Sequence, residues 1–167
     1  MHVSPDAPAP IRPGEELDVS RLNAFFAVSG LPPVTEVRQF PGGFSNLTYF
    51  LQTKTGDYVL RRPPFGAQIK GGHDMGREFR VLTTLQTAGF PKIPKPVLFC
   101  EDETVLGAPF YVMERVNGVI LRANSARNPA LTPALMRRLG ENLIDTLAEL
   151  HTLDVEKTGL LALGKPE

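Results

Sequence analysis

Phe40-Pro41-Gly42-Gly43-Phe44-Ser45-Asn46 is a glycine turn set between two runs that read as β-strands. Residues 34–40 before it and 47–53 after it carry β-branched and aromatic residues in rough alternation, which puts the glycines at the tip of a hairpin. Adjacent glycines have no Cβ, so the backbone can take positive φ there and its N–H groups can approach a ligand closely. A phosphate suits such a tip. A hairpin needs glycine in any case, so Gly42-Gly43 taken alone signals only a turn. Its neighbours in the chain have to decide between the two readings.

Outward from the hairpin, Lys54-Thr55-Gly56-Asp57 is a second turn and 58–62 a third strand closed by Pro63 and Pro64, which makes an antiparallel meander. The loop 65–73 carries three glycines and leads to a helix from about Asp74 to Thr87. Phe79, Leu82 and Leu85 form its apolar face, Gly89 its stop, and Arg77, Glu78 and Arg80 share it. Two further strands, 96–100 and 109–114, flank an acidic turn at Glu101-Asp102-Glu103. Upstream, Asp18 caps a short helix through Ser29 with Leu22, Phe25 and Phe26 on one face and Gly30 at its end. The spacing predicts an α+β fold: a five-stranded antiparallel sheet with one inserted helix plus an N-terminal helix, spanning 16–116.

The two ends differ in character. Residues 1–15 hold Pro5, Pro8, Pro10 and Pro13 among small and polar residues, a composition that buries little and predicts an extended or disordered tail. From Asn117-Gly118 onward, in 117–167, the pattern turns helical. Thr132 with Pro133 behind it starts a helix on which Leu135, Leu139, Leu143, Leu147 and Leu150 recur on one face through His151. Little else in the chain is left to cover that face, so self-association through it is expected.

Bulk numbers exclude several function classes. Lys plus Arg total 18 and Asp plus Glu total 18, so no global charge draws the chain to nucleic acid or an anionic membrane. The one cysteine, Cys100, excludes an internal disulfide and fits a reducing compartment; in the apolar run Val97-Leu98-Phe99-Cys100 it reads as packing. No apolar run approaches the ~18 residues of a membrane span, and the first residues lack a signal-peptide pattern, so a cytoplasmic protein is expected. No Walker motif, Gly-x-Gly-x-x-Gly fingerprint or Cys/His zinc cluster occurs.

Five motifs occur in order: Phe40-x-Gly42-Gly43-x-Ser45-Asn46-x-Thr48-Tyr49, Tyr58-Val59-Leu60-Arg61-Arg62-x-Pro64, His73-x-x-x-Arg77-Glu78-x-Arg80-Val81-Leu82, Gly107-x-Pro109-Phe110-Tyr111-Val112-Met113-Glu114 and Leu150-His151-x-x-Asp154. Together they resemble the amino-terminal part of the protein-kinase-like aminoglycoside phosphotransferase superfamily, in the subgroup associated with acyl-CoA dehydrogenases. The resemblance implies a kinase-like N-terminal lobe, a hinge and the first helix of a C-terminal lobe. It also implies ATP and Mg2+ as cofactors and transfer of the γ-phosphate to a hydroxyl of a small-molecule substrate, work in which the protein mainly positions and balances charge.

By that resemblance Gly42, Gly43, Phe44, Ser45 and Asn46 cover the ATP phosphates, and a third-strand cation contacts the α- and β-phosphates while a glutamate on the following helix, Glu78, holds it. Position after Tyr58-Val59-Leu60 favours Arg61 as the cation, where kinases in general have lysine; arginine can bind phosphate or carboxylate bidentately. Arg62 is the competing choice, because strand alternation puts the two side chains on opposite faces. Met113 precedes the hinge, so the Glu114 carbonyl and the Val116 N–H are the implied adenine contacts. His73 could touch phosphate or cap the helix start, while His151 and Asp154 read as a structural join before the catalytic loop. The aspartate base, the magnesium-binding asparagine and the later metal-binding aspartate are expected downstream of Glu167, leaving a truncated, ATP-binding portion without turnover of its own. A non-catalytic nucleotide- or protein-binding module is the alternative.

Overall fold

The computed structural model describes residues 6–42, 45–66, 74–121 and 131–164. Contacts within the chain divide it into one compact unit of Met1–Thr83 with Pro94–Val116 and a second of Thr84–Ile93 with Asn117–Glu167.

The first unit is built on a five-stranded antiparallel sheet in the order β1-β2-β3-β5-β4, from β1 (Val34–Gln39), β2 (Leu47–Thr53), β3 (Asp57–Arg62), β4 (Pro96–Cys100) and β5 (Phe110–Glu114). Register fixes which side chains share a face. Leu60 of β3 lies between Tyr49 of β2 and Val112 of β5, and all three are fully buried. On that face they join Leu22 and Phe26 of α1 (Val19–Val28), and Phe25 meets Phe110 edge-on at 5.8 Å. Asp18 caps α1 by accepting from the Arg21 N–H, as its side-chain chemistry requires. On the opposite face Phe79 of α2 (Met75–Thr87) stacks on Phe99 of β4 at 5.7 Å and lies 6.1 Å from the Tyr111 ring of β5.

Two features depart from the sequence-based expectation. The acidic segment after β4 contains a one-turn helix, α3 (Glu103–Leu106), capped by Asp102 on the Thr104 N–H and ended by Gly107 at φ 79°. Hydrogen bonding from the Thr104 side chain, and next from its N–H, holds the Asp102 carboxyl below its ordinary range. Residues 6–15 are not a detached tail. Ala9 and Gln39 exchange both backbone hydrogen bonds, at 2.8 and 2.9 Å, on the open side of β1. The buried Gln39 amide accepts from the Arg12 N–H and donates to Glu15 Oε2, and the Tyr49 hydroxyl donates to the Glu15 carbonyl. An edge strand offers unpaired backbone groups, and this segment uses them; composition reveals nothing of that.

In the second unit α4 (Pro133–His151) is capped by Thr132, and Lys92 ties the 84–93 segment to it through Glu149 at 2.8 Å and Thr146 at 3.2 Å. None of its residues is buried, and Leu135, Leu143, Ile144 and Leu147 are exposed. A 3-10 turn follows at Leu160–Leu163. No helix among the described residues is long and apolar enough to cross a membrane.

Candidate functional site

The polarity of β3 decides the site. Because Leu60 faces the α1 side, Arg62 faces it too, and Arg61 between them points to the α2 side. Arg62 is 2% exposed. Its guanidinium donates from Nη1 to the Leu106 carbonyl at 2.8 Å and from Nε to the Pro63 carbonyl at 3.0 Å, and it lies 3.7 Å from the centre of the Phe65 ring. Burial pulls its pKa down, and the same burial pushes the Tyr49 phenol up to about 12. Arg62 is a structural cation of the core, tying β3 to the end of α3.

Arg61, directly opposite Thr48 and Tyr111, meets the Glu78 carboxylate of α2, with Nη1 3.5 Å from Oε2. Glu78 is engaged from two other elements as well. The Tyr111 hydroxyl donates to Oε2 at 2.9 Å, and the Asn46 amide donates to Oε1 at 2.9 Å. Asn46 is 4% exposed and comes from the end of the glycine turn, so turn, β3, α2 and β5 converge on one carboxylate. Burial pushes the Tyr111 phenol well above its ordinary range; Arg61 opposes this, and the Glu78 charge adds to it. The Arg61 Nε is buried with no hydrogen-bond partner among the described residues. Beside the cluster lies a cavity of about 420 Å³ lined by Arg61, Asp74, Arg77, Glu78, Val81 and Tyr111. Asp74 also receives the Arg77 N–H at 2.7 Å, which fixes the start of α2.

Met113 is half-buried opposite Val59, two residues along from the Arg61–Tyr111 pair and therefore on the same sheet face. Glu114 closes β5 with its N–H on the Lys95 carbonyl, and Val116 beyond it is exposed. Between them Arg115, which the sequence did not single out, anchors the strand end through Asp57 at 3.2 Å and lies over the Phe50 ring at 4.7 Å. Gly42 and Ser45 are exposed at the turn, while Gly43, Phe44 and His73 lie outside the described residues. His151 ends α4, and Asp154 caps the following turn through the Glu156 and Lys157 N–H groups, its carboxyl held low by Lys157. The structure thus brings Asn46, Arg61 and Glu78 together and sets Met113 on their face. Tyr111 joins them as a site residue that the motifs do not single out, although counting back by two from Met113 places it on this face.

Residues 36–167 match the model of the phosphotransferase enzyme family. Among curated proteins, the chain is 38% identical to acyl-CoA dehydrogenase family member 11 of Rattus norvegicus over 161 residues, covering 92% of this chain and 20% of that protein. The Gallus gallus counterpart is 42% identical over 129 residues, 77% of this chain and 16% of that protein. A solved structure from Ralstonia eutropha, assigned as an aminoglycoside phosphotransferase, superposes with a TM-score of 0.73 at 33% identity, covering 90% of this chain and 43% of the other. The chain therefore spans about a fifth of the length of these curated relatives.

Proposed function

The chain belongs to the phosphotransferase enzyme family, and on that footing we propose that its first unit is the ATP-binding part of a small-molecule kinase. The observation that carries this reading is the Arg61–Glu78 pair on the sheet face that also holds Met113, with Arg62 committed to the opposite side. In this reading Gly42, Gly43, Phe44, Ser45 and Asn46 cover the phosphates, Arg61 meets the α- and β-phosphates, and Met113, Glu114 and Val116 border the adenine. The residues suit an anion: the Arg61 side chain is 33% exposed and lines the cavity, so its guanidinium can offer N–H donors to a phosphate oxygen there.

ATP would supply the γ-phosphoryl group and Mg2+ would balance its charge, with the metal ligands and the aspartate base expected outside these residues. The chain's own part is to hold and orient the phosphates against Arg61 and to keep that cation in place. Alone it should bind ATP weakly and transfer nothing. The phosphate acceptor is proposed to be a hydroxyl of a metabolic small molecule, in keeping with the acyl-CoA dehydrogenase relatives, and the setting cytoplasmic. No nucleic-acid or membrane partner is proposed.

Calorimetry with MgATP on the complete protein tests this. Arg61→Ala and Glu78→Ala should each weaken binding roughly tenfold or more, the loss of a charge-assisted contact. Unchanged affinity in both variants would overturn the assignment.

A further inference from the structure

We propose that Tyr111 and Asn46 are positioning residues that act through Glu78: they hold its carboxylate from two sides so that Arg61 stays aimed into the cavity. This rests on the ATP-binding reading and adds to it the means by which the cation is kept available. Among the described residues the close hydrogen bonds to Glu78 come from neutral donors, both at 2.9 Å, one on each carboxylate oxygen. The cation stands off at 3.5 Å, beyond the ~2.7–2.9 Å of a charge-assisted hydrogen bond.

The difference in distance sets the division of labour. A carboxylate that depended on Arg61 for its orientation would draw the guanidinium into a bidentate fork and spend the donors a phosphate needs. Here β5 and the glycine turn orient Glu78, and the Arg61 side chain, 33% exposed, faces the cavity. Tyr111 is 2% exposed and Asn46 4%, so each must find a partner inside the protein, and both find the same carboxylate. Asn46 also makes the link between turn and helix: a displacement of the phosphate-covering turn moves a donor of Glu78, and through Glu78 the bearing of Arg61.

Double-mutant cycles in MgATP affinity on the complete protein, with thermal unfolding measured alongside, decide the matter. Tyr111→Phe keeps the ring and its packing against Phe79 and deletes only the hydroxyl; Asn46→Ala deletes the other donor. Each should weaken MgATP binding by about threefold to tenfold, the value of one hydrogen bond, and neither should weaken it further when Glu78 is already Ala. If Glu78→Ala does not fold, Glu78→Gln serves as the same background. Full, additive losses in the Glu78 variant would show that Tyr111 and Asn46 act directly or by general destabilisation, and would overturn the proposal. So would wild-type affinity in Tyr111→Phe and Asn46→Ala while Arg61→Ala and Glu78→Ala still weaken binding. If Arg61→Ala and Glu78→Ala bind MgATP as the wild type does, the ATP-binding reading has failed, and the positioning proposal fails with it.

Discussion

Truncating the two adjacent arginines of β3 should have opposite consequences. Arg62→Ala deletes the donors at 2.8 and 3.0 Å to the Leu106 and Pro63 carbonyls and the cation over Phe65, and it leaves a gap where a side chain was 2% exposed. Two carbonyls stripped of a charged donor cost about 1–3 kcal/mol each, and relief of the guanidinium's desolvation returns part of that, for a net loss of about 3 kcal/mol. In a chain of 167 residues that lowers the melting temperature by about 6–12 °C. Arg61→Ala removes a pair whose side chains are both 33% exposed, worth about 0–1 kcal/mol, and it also removes an Nε with no hydrogen-bond partner among the described residues. Its melting temperature should stay within about 3 °C of wild type. Thermal unfolding followed by circular dichroism on both variants reads the contrast directly. Equal losses, or a larger loss in Arg61→Ala, would refute the assignment of Arg62 to the core.

Burial raises the Tyr49 phenol to about 12, above its unfolded value, so its contribution is fully present below about pH 10 and is lost as pH rises toward 12, costing about 1–3 kcal/mol; urea unfolding midpoints across that range should fall in wild type and fall less in Tyr49→Phe, and parallel curves would count against it. We also propose that a second copy of the chain covers the α4 face of Leu143, Ile144 and Leu147, which are 60%, 64% and 41% exposed; sedimentation velocity should show concentration-dependent association that Leu143→Glu abolishes, and a monomer at every concentration would exclude it.

The strands and long helices were legible because their apolar periodicity is strong and turn residues bound them; β2, β4 and α4 match their expected limits to within a residue. Motif position favours Arg61 over Arg62, but strand alternation does not decide between them, for a physical reason. β3 is flanked on both sides and covered on both faces, so Val59 and Leu60 are both buried and alternation carries no polarity. Only the register with Tyr49 and Val112 resolves it. Tyr111 was hidden in the same way, inside the all-apolar run Phe110-Tyr111-Val112. Helix α3 leaves no trace in the sequence pattern because four residues held by an Asp102 cap show no periodicity, and its acidic residues read as a turn. Of the turn itself, Gly42, Ser45 and Asn46 can be placed, and Asn46 was singled out for phosphate rather than for Glu78.

The bridge between Ala9 and Gln39 has a meaning for the sheet as a whole. β1 is an outer strand, and an outer strand invites any passing strand to add to it. Ala9 occupies the invitation at one position, and Pro8 and Pro10 on either side carry no N–H with which to lengthen the pairing. Glu36 and Arg38, joined at 2.7 Å farther along the same strand, add charge to what remains open. Prolines that argued for disorder thus act as a stop: they let the leading segment close the row of strands at that point and give no template for another to continue it.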